Sequence, residues 1–431
     1  MAFKGGRRPV EQKQKLVDDF RAIVALSLRH RDCVSMVDYI CFQWVATRKG
    51  FIHSHKLLAM LNTMNRMNKA AGNQIFKISR ESKFRMVNLL TVIFLIITLV
   101  YFNTESAAQS TPAKSLLALS KKDHIMAIVD PVTLKVIAKI PVGPDPHEVI
   151  ASADGKTAYV SNSYSSPFHE INVIDLIAQK PLPNIDIKPF ISPHGLAFAD
   201  GKLWFSAEGS KSVGRYDPAI SGMDWCMGTG QDRTHMIYVT SDGKTVYTTN
   251  VNAGTVSIIV DTILPPPTGP NGQPVPGARE RREWIQTVIP VAKGSEGFDV
   301  SPDGRELWTA AAQDGTISII DIAARRLSGK IDAKVLGANR LKFTPDGKRV
   351  LVSSLKNGDL FIYDAASHKE LRKVNTGHGA AGILVDTDGS RAFIGCTADN
   401  YVAVVDLKTL EVSGHIDIGG GPDGLAWAVR P

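Results

Sequence analysis

Three histidines stand at equivalent points of this chain. His147, His194 and His235 each lie six or seven residues ahead of an Asp-Gly dipeptide. The same position further along holds Glu296, Asn339 and Ala381, and by extension Asp423 near the C-terminus. Eight residues after the Asp of each dipeptide, a second column reads Asn162, Glu208, Asn250, Ala311, Ser354 and Cys396. Within one unit this pairs His147 with Asn162, His194 with Glu208, and His235 with Asn250. Imidazoles beside carboxylate and amide oxygens can bind a metal or move protons. Imidazole with carboxylate suits zinc, copper or iron, whereas carboxylate with amide suits calcium. The candidate metal ligands are therefore His147, His194, His235, Glu208 and Glu296, and the cofactor they would take is a divalent ion. The wider candidate ligand-binding set adds Asn162, Arg233, Asn250, Asn339 and Asp423. A structural role competes with both, since an imidazole can bond backbone and an Asn can cap a turn. A purely structural role would recur in every unit, yet the histidines occupy only three adjacent ones.

The ruler for these columns is a ladder of six Asp-Gly dipeptides, at Asp154, Asp200, Asp242, Asp303, Asp346 and Asp388. Their spacings are 46, 42, 61, 43 and 42 residues, so a unit of about 42 is being repeated,. Within a unit, tight turns at Asp-Gly separate short alternating apolar runs, four per unit, which is the pattern of a propeller blade. The wording recurs as ADGKTAYVSN (153–162), SDGKTVYTTN (241–250), PDGKRVLVSS (345–354) and TDGSRAFIGC (387–396). Third strands recur as INVIDL (171–176), ISIIDI (317–322) and VAVVDL (402–407). Over residues 114–431 the chain resembles the YVTN family of β-propeller repeats, with YVSN at 159–162 close to the name-giving motif. The resemblance implies an all-β, seven-bladed β-propeller. Some propellers of similar fold are lactonases that hold a divalent cation on inner-strand carboxylates and amides. The His-rich column here departs from such a calcium-type centre. In these repeats Pro-His-Gly wording is also common at the inner-strand start, which supports the structural alternative.

Six blades carry a full first strand. Residues 116–142 supply three further strands without one, and GPDGLAWAV (421–429) reads as the missing piece, so strands from both ends are expected to close the ring,. First strands run toward the Asp-Gly turns and second strands return, which puts both polar columns on one upper face at the channel mouth. The interval of 61 residues contains an insertion, residues 264–283, rich in Pro and Gly and expected as an extended, mobile loop on the lower face. MDWCMGTGQDRTHM (223–236) would add Trp225, Gln231 and Arg233 to the upper rim. The loop 163–170 would place Tyr164, Phe168 and His169 beside His147.

The net charge of +8 does not point to nucleic acid. Residues 1–85 hold 17 Lys/Arg against 6 Asp/Glu, and the remainder 33 against 36, so the repeat region is mildly acidic,. Residues 1–85 read as a basic N-terminal extension, with Met64, Met67 and Met86 as alternative starts. Residues 86–102 carry no charge, follow Lys83 and Arg85, and precede small residues at Ser106 and Ala108. Residues 86–108 therefore read as a signal peptide cleaved after Ala108, or as an uncleaved anchor touching the membrane through residues 86–102. Either implies a periplasmic or secreted propeller. Cys33, Cys41, Cys226 and Cys396 form no Cys-x-x-Cys, which excludes a zinc ribbon or c-type haem attachment, and Cys226 and Cys396 are expected unpaired,. No nucleophile elbow, His-Glu-x-x-His or phosphate loop is present,. The reading is a monomeric, exported propeller that binds a small-molecule or protein ligand around the channel mouth of blades 2–4. The alternative is a metal-dependent, lactonase-like hydrolase or lyase at the same mouth.

Overall fold

The computed structural model describes residues 109–162 and 168–431. The basic extension 1–85, the apolar segment 86–108 and Tyr164 of the expected upper loop lie outside the described residues. Among the described residues no helix is long and apolar enough to cross a membrane.

Seven four-stranded antiparallel sheets make up the repeat region, one per blade. Blade 2 shows the scheme. Its strands are β4 (Pro146–Ala151), β5 (Thr157–Asn162), β6 (Glu170–Asp175) and β7 (Lys180–Asp186), in spatial order from the channel outward. The other inner strands are β8 (Pro193–Ala199), β12 (Thr234–Val239), β16 (Ser295–Val300), β20 (Ala338–Phe343), β24 (Ala380–Val385) and β28 (Pro422–Val429). Blade 1 takes β28 as its inner strand, paired with β1 (Lys114–Ser120) in the register Leu116↔Trp427 and Leu117↔Ala426. The ring is thus a seven-bladed β-propeller closed by strands from both ends of the repeat region, and no unpaired sheet edge is left at the seam.

Burial follows strand position. The second strands of blades 2–7 end in a run of five buried residues, as in LWFSA of β9 (Lys202–Ala207), because neighbouring blades cover both faces. Outer strands are far more exposed; Arg326–Ile331 alternates exposed with half-buried residues, and Glu370–Asn375 is exposed at all but one position. The core is accordingly a set of inter-blade layers, such as Leu351, Leu360 and Ile362 against Ile383, Ile394 and Ala403. Each such aliphatic side chain, fully withdrawn from water, contributes roughly 1.5–3 kcal/mol.

The Asp-Gly ladder is built as the sequence implies. Ser152, Thr240, Ser301 and Thr344 donate their hydroxyls to Asp154, Asp242, Asp303 and Asp346 at 2.6–2.7 Å. At Asp200-Gly201 both residues take positive φ, 50° and 69°, the two-residue hairpin that Gly tolerates best,. The third and fourth strands of blade 4, β14 (Thr255–Leu264) and β15 (Arg281–Pro290), run as a paired ladder to Leu264↔Arg281. Residues 265–280 between them form the loop that their Pro and Gly content implies, with one bridge joining Thr268 to Pro274.

Candidate functional site at the channel mouth

Each inner strand places its second residue at the same level of the channel: His147, His194, His235, Glu296, Asn339, Ala381 and Asp423. Two devices fix that level. Second-strand hydroxyls reach to the next blade's inner strand, Ser161 Oγ to the His194 carbonyl at 2.5 Å, Thr249 Oγ1 to that of Glu296 at 2.6 Å and Ser353 Oγ to that of Ala381 at 2.6 Å. Ser206 Oγ holds the His235 carbonyl in the same way. The third inner-strand position is Gly in blades 1, 3, 5 and 7, which lets neighbouring backbones approach. A Cβ on Gly424 would lie 2.3 Å from the His147 carbonyl oxygen, and one on Gly195 2.7 Å from that of His235.

This close approach gathers the imidazoles. The rings of His194 and His235 are 3.8 Å apart at their centroids, and His147 lies 5.0 Å from His194. His194 and His235 are each only 2% exposed. His235 Nδ1 is bonded to Glu208 Oε1 of the preceding blade, while His235 Nε2 and His194 Nδ1 are buried with no hydrogen-bond partner. Burial holds the pKa of His194 well below the ordinary 6.5, and the nearby charges of His235, His147, Arg340 and Arg233 press it the same way,. Burial would raise the Glu208 carboxyl, but bonding to His235 and Arg233 outweighs it and keeps it below its usual value. One donor atom from each of His194, Glu208 and His235 lies within 4.8 Å of the others.

Around this trio runs a ring of ion pairs. Arg233 Nε donates to Glu208 Oε1 at 3.1 Å, and Arg233 Nη1 stands 3.5 Å from Glu296 Oε1. Asn339 Nδ2 donates to Glu296 Oε2 at 2.7 Å. Lys121 Nζ donates to His147 Nε2 at 2.7 Å and to Asp423 Oδ2 at 3.2 Å, with Asp145 at 3.4 Å. His147 Nδ1 in turn donates to the Asp145 carbonyl at 2.9 Å, so both its nitrogens are engaged. One residue deeper, Arg340 of blade 6 reaches Glu148 of blade 2, and its Nη1 also touches Asn339 Oδ1 at 3.3 Å. Burial opposes the Arg340 charge, but Glu148, Asp423 and Glu296 together outweigh it and raise its pKa.

The structure therefore brings His147, His194, Glu208, Arg233, His235, Glu296, Asn339 and Asp423 to one mouth, but not in the pairs expected. Glu208 meets His235 of the next blade instead of His194 of its own. Asn162 and Asn250 turn inward to their own blades. Asn162 Nδ2 bonds Asn172 Oδ1 at 2.7 Å, and Asn250 is satisfied by Thr234, Thr248, Thr255 and Ser257 at 3.0–3.3 Å. Both are fully buried. Trp225 does not reach the rim either; it lies in the outer strand of blade 3 and packs on Trp204 and Trp284, 5.3 and 4.6 Å away. Gln231 accepts from Thr255 Oγ1 at 2.9 Å, and His169 pairs with Asp186 at 2.9 Å. Lys121, Glu148 and Arg340 are additions that the two columns did not contain. Cys226 and Cys396 are both free thiols.

A comparison with protein-family models finds no match, and a comparison with curated proteins finds none either. Solved structures do match in fold. A functionally unknown protein from Desulfotomaculum acetoxidans aligns with TM-score 0.58 at 13% identity, over 74% of this chain and 99% of its own. A candidate 6-phosphogluconolactonase from Bacteroides fragilis aligns with TM-score 0.58 at 15% identity, over 74% and 99%. A chain of hydrazine synthase from Kuenenia stuttgartiensis aligns with TM-score 0.53 at 19% identity, over 66% and 89%. At these identities the likeness is one of propeller fold.

Proposed function

We propose that the channel mouth over blades 2–4 is the small-molecule site of an exported propeller. One observation carries this reading: ionisable side chains from blades 1 to 6 converge at a place the fold can close without them. Blade 7 shows how little closure needs, since it meets the channel with Ala381 and Gly382. Holding Glu148, Glu208, Glu296, Asp423 and Arg340 largely out of water costs desolvation that apolar residues would avoid,. Arg233 and Lys121, at the outer edge of the network with 38% and 25% of their side chains exposed, are the donors a ligand would meet first. Acceptors at Glu208 and Glu296 lie beside Arg233, and Asp145 and Asp423 beside Lys121. This alternation of donors and acceptors suits a compact oxygen-rich molecule, such as a hydroxy acid or a sugar lactone. Export is supported by the basic flank and uncharged run ahead of the propeller,.

A second reading, a metal-assisted hydrolase or lyase acting on a lactone, is favoured by the neutral imidazole of His194 beside Glu208. It is also consistent with the candidate lactonase among the proteins of similar fold,. The test is a thermal-shift and calorimetric panel of sugar lactones, aldonic acids and hydroxy acids on the full chain and on Arg233→Met. A ligand that raises Tm in the parent and loses at least about tenfold in affinity in the variant supports the mouth as the site. Panel-wide silence, or equal binding by both proteins, refutes it. Proton release on a bound lactone separates the hydrolase from the simple binder.

A further inference from the structure

The geometry points to a divalent transition-metal centre, of the zinc class, held by His194, Glu208 and His235. The assignment rests on the reading of the channel mouth as the functional site and supplies its cofactor. Two observations converge. First, the buried imidazole nitrogen His194 Nδ1 has no partner, and leaving a buried polar atom unsatisfied is costly enough that native structures rarely do so,. Its ring lies 3.8 Å from that of His235, whose Nδ1 meets the Glu208 carboxylate. Second, the mouth is short of positive charge. Asp145, Glu148, Glu208, Glu296 and Asp423 face only Lys121, Arg233 and Arg340, a formal deficit of two that one divalent ion would close.

The donor set selects among ions. Two imidazoles and a carboxylate match zinc, cobalt or iron, whereas calcium and magnesium need shells of oxygen that the site lacks. Asn250 spends its amide oxygen on Thr234 and Thr248, and Asn162 is fully buried against Asn172 of its own blade. The calcium-type centre that similar propellers would suggest therefore does not fit this chain. His147 is not a ligand, because Asp145 and Lys121 occupy its two nitrogens. The three donor atoms lie within 4.8 Å of one another, and ligands about 2.0–2.1 Å from a tetrahedral ion would lie about 3.4 Å apart,. A side-chain shift of about an ångström, breaking the His235–Glu208 hydrogen bond in favour of the ion, completes the shell. Three protein ligands leave a fourth position for water or a ligand oxygen, the arrangement of catalytic rather than structural zinc sites.

The experiment uses metals alone. The purified full chain, stripped with chelator, is titrated with Zn2+, Co2+ and Ca2+, following heat, Tm and, for Co2+, visible absorption. The expected result is one equivalent of Zn2+ or Co2+ per chain, a raised Tm, absorption of a low-coordinate Co2+ complex, and no response to Ca2+. Glu208→Gln and His194→Gln should each weaken affinity by at least about 100-fold, beyond what loss of an outer partner costs. His415→Gln, on an outer strand, should bind as the parent does. Glu208→Gln preserves shape, so it remains informative if the histidine variant fails to fold. Absence of stoichiometric Zn2+ and Co2+ binding, or full retention of it in Glu208→Gln, overturns the assignment. Ligand binding from the lactone panel that persists in chelator would refute the metal centre while leaving the small-molecule site standing.

Discussion

Replacing Arg340 by Met should destabilise the propeller by about 3–5 kcal/mol, the cost of stranding a buried carboxylate. Arg340 is 8% exposed and Glu148 13%, they come from blades on different sides of the channel, and they bond each other directly. Met keeps most of the arginine's length and apolar volume, so packing loss is small and the measured cost reports chiefly on Glu148 left without its partner. Asn339 Oδ1, 3.3 Å from Arg340 Nη1, cannot replace it, because it too loses a donor. Removing both charges, in Arg340→Met/Glu148→Leu, should restore most of the loss, since apolar replacement of a buried pair is often close to neutral. The assay is urea unfolding of parent, both single variants and the double variant, with the interaction energy taken from the cycle. Because the pair is withdrawn from solvent, its contribution should change little between low and high salt, unlike that of exposed pairs. A single-variant loss below about 1 kcal/mol, or a double variant as unstable as the two losses added, would show that the pair does not work as a buried strut.

Two other predictions concern the closure of the ring. Asp386 is bonded by Lys114 at 2.5 Å and by Arg391 at 2.8 Å; burial pushes its carboxyl up, but the two cations outweigh burial and hold it below the ordinary 3.8. A depressed folded-state pKa means its contribution is present in full above 3.8 and fades as pH falls through the lower folded value. Asp386→Asn should therefore flatten the acid limb of a Tm–pH profile below about pH 4, and an unaltered limb would refute the linkage. Gly424→Ala should cost about 1–3 kcal/mol in urea unfolding, because the added methyl would sit 2.3 Å from the His147 carbonyl oxygen,. A neutral result would mean that the inner strands can separate at no cost.

The blade plan was legible because it rests on local chemistry repeated many times. Asp-Gly turns, Ser or Thr two residues earlier, and doubly buried second strands are each set by neighbours in sequence, so the ladder fixed both the number of blades and the level of His147, His194 and His235. What could not be read from one unit was which way a second-strand end would point. Glu208 reaches the next blade's His235, where a partner waits, while Asn250 finds Ser257 and Thr255 in its own third strand. A signal existed for the latter, since a polar residue in an otherwise apolar third strand, such as Ser257 or Asn172, marks a partner for a buried amide. Arg340 and Glu148 also carried one. They occupy the inner-strand position that is Gly in four blades, and a long charged side chain there has nowhere to go except across the channel. Seeing that their charges complement each other requires knowing that blades 2 and 6 face one another, a property of ring closure and not of any repeat.

The seam between β1 and β28 also sets a temporal order. Lys121 follows directly on β1, and its partner Asp423 lies on β28, about three hundred positions later in the chain. A ribosome delivers Asp423 about three hundred residues after Lys121, so until then the corner holding His147 lacks its acid and the seven-strand channel lacks one wall. A prematurely ended chain could fold most of its blades and still never assemble the mouth. The mouth is thus complete only in molecules whose β28 has paired with β1.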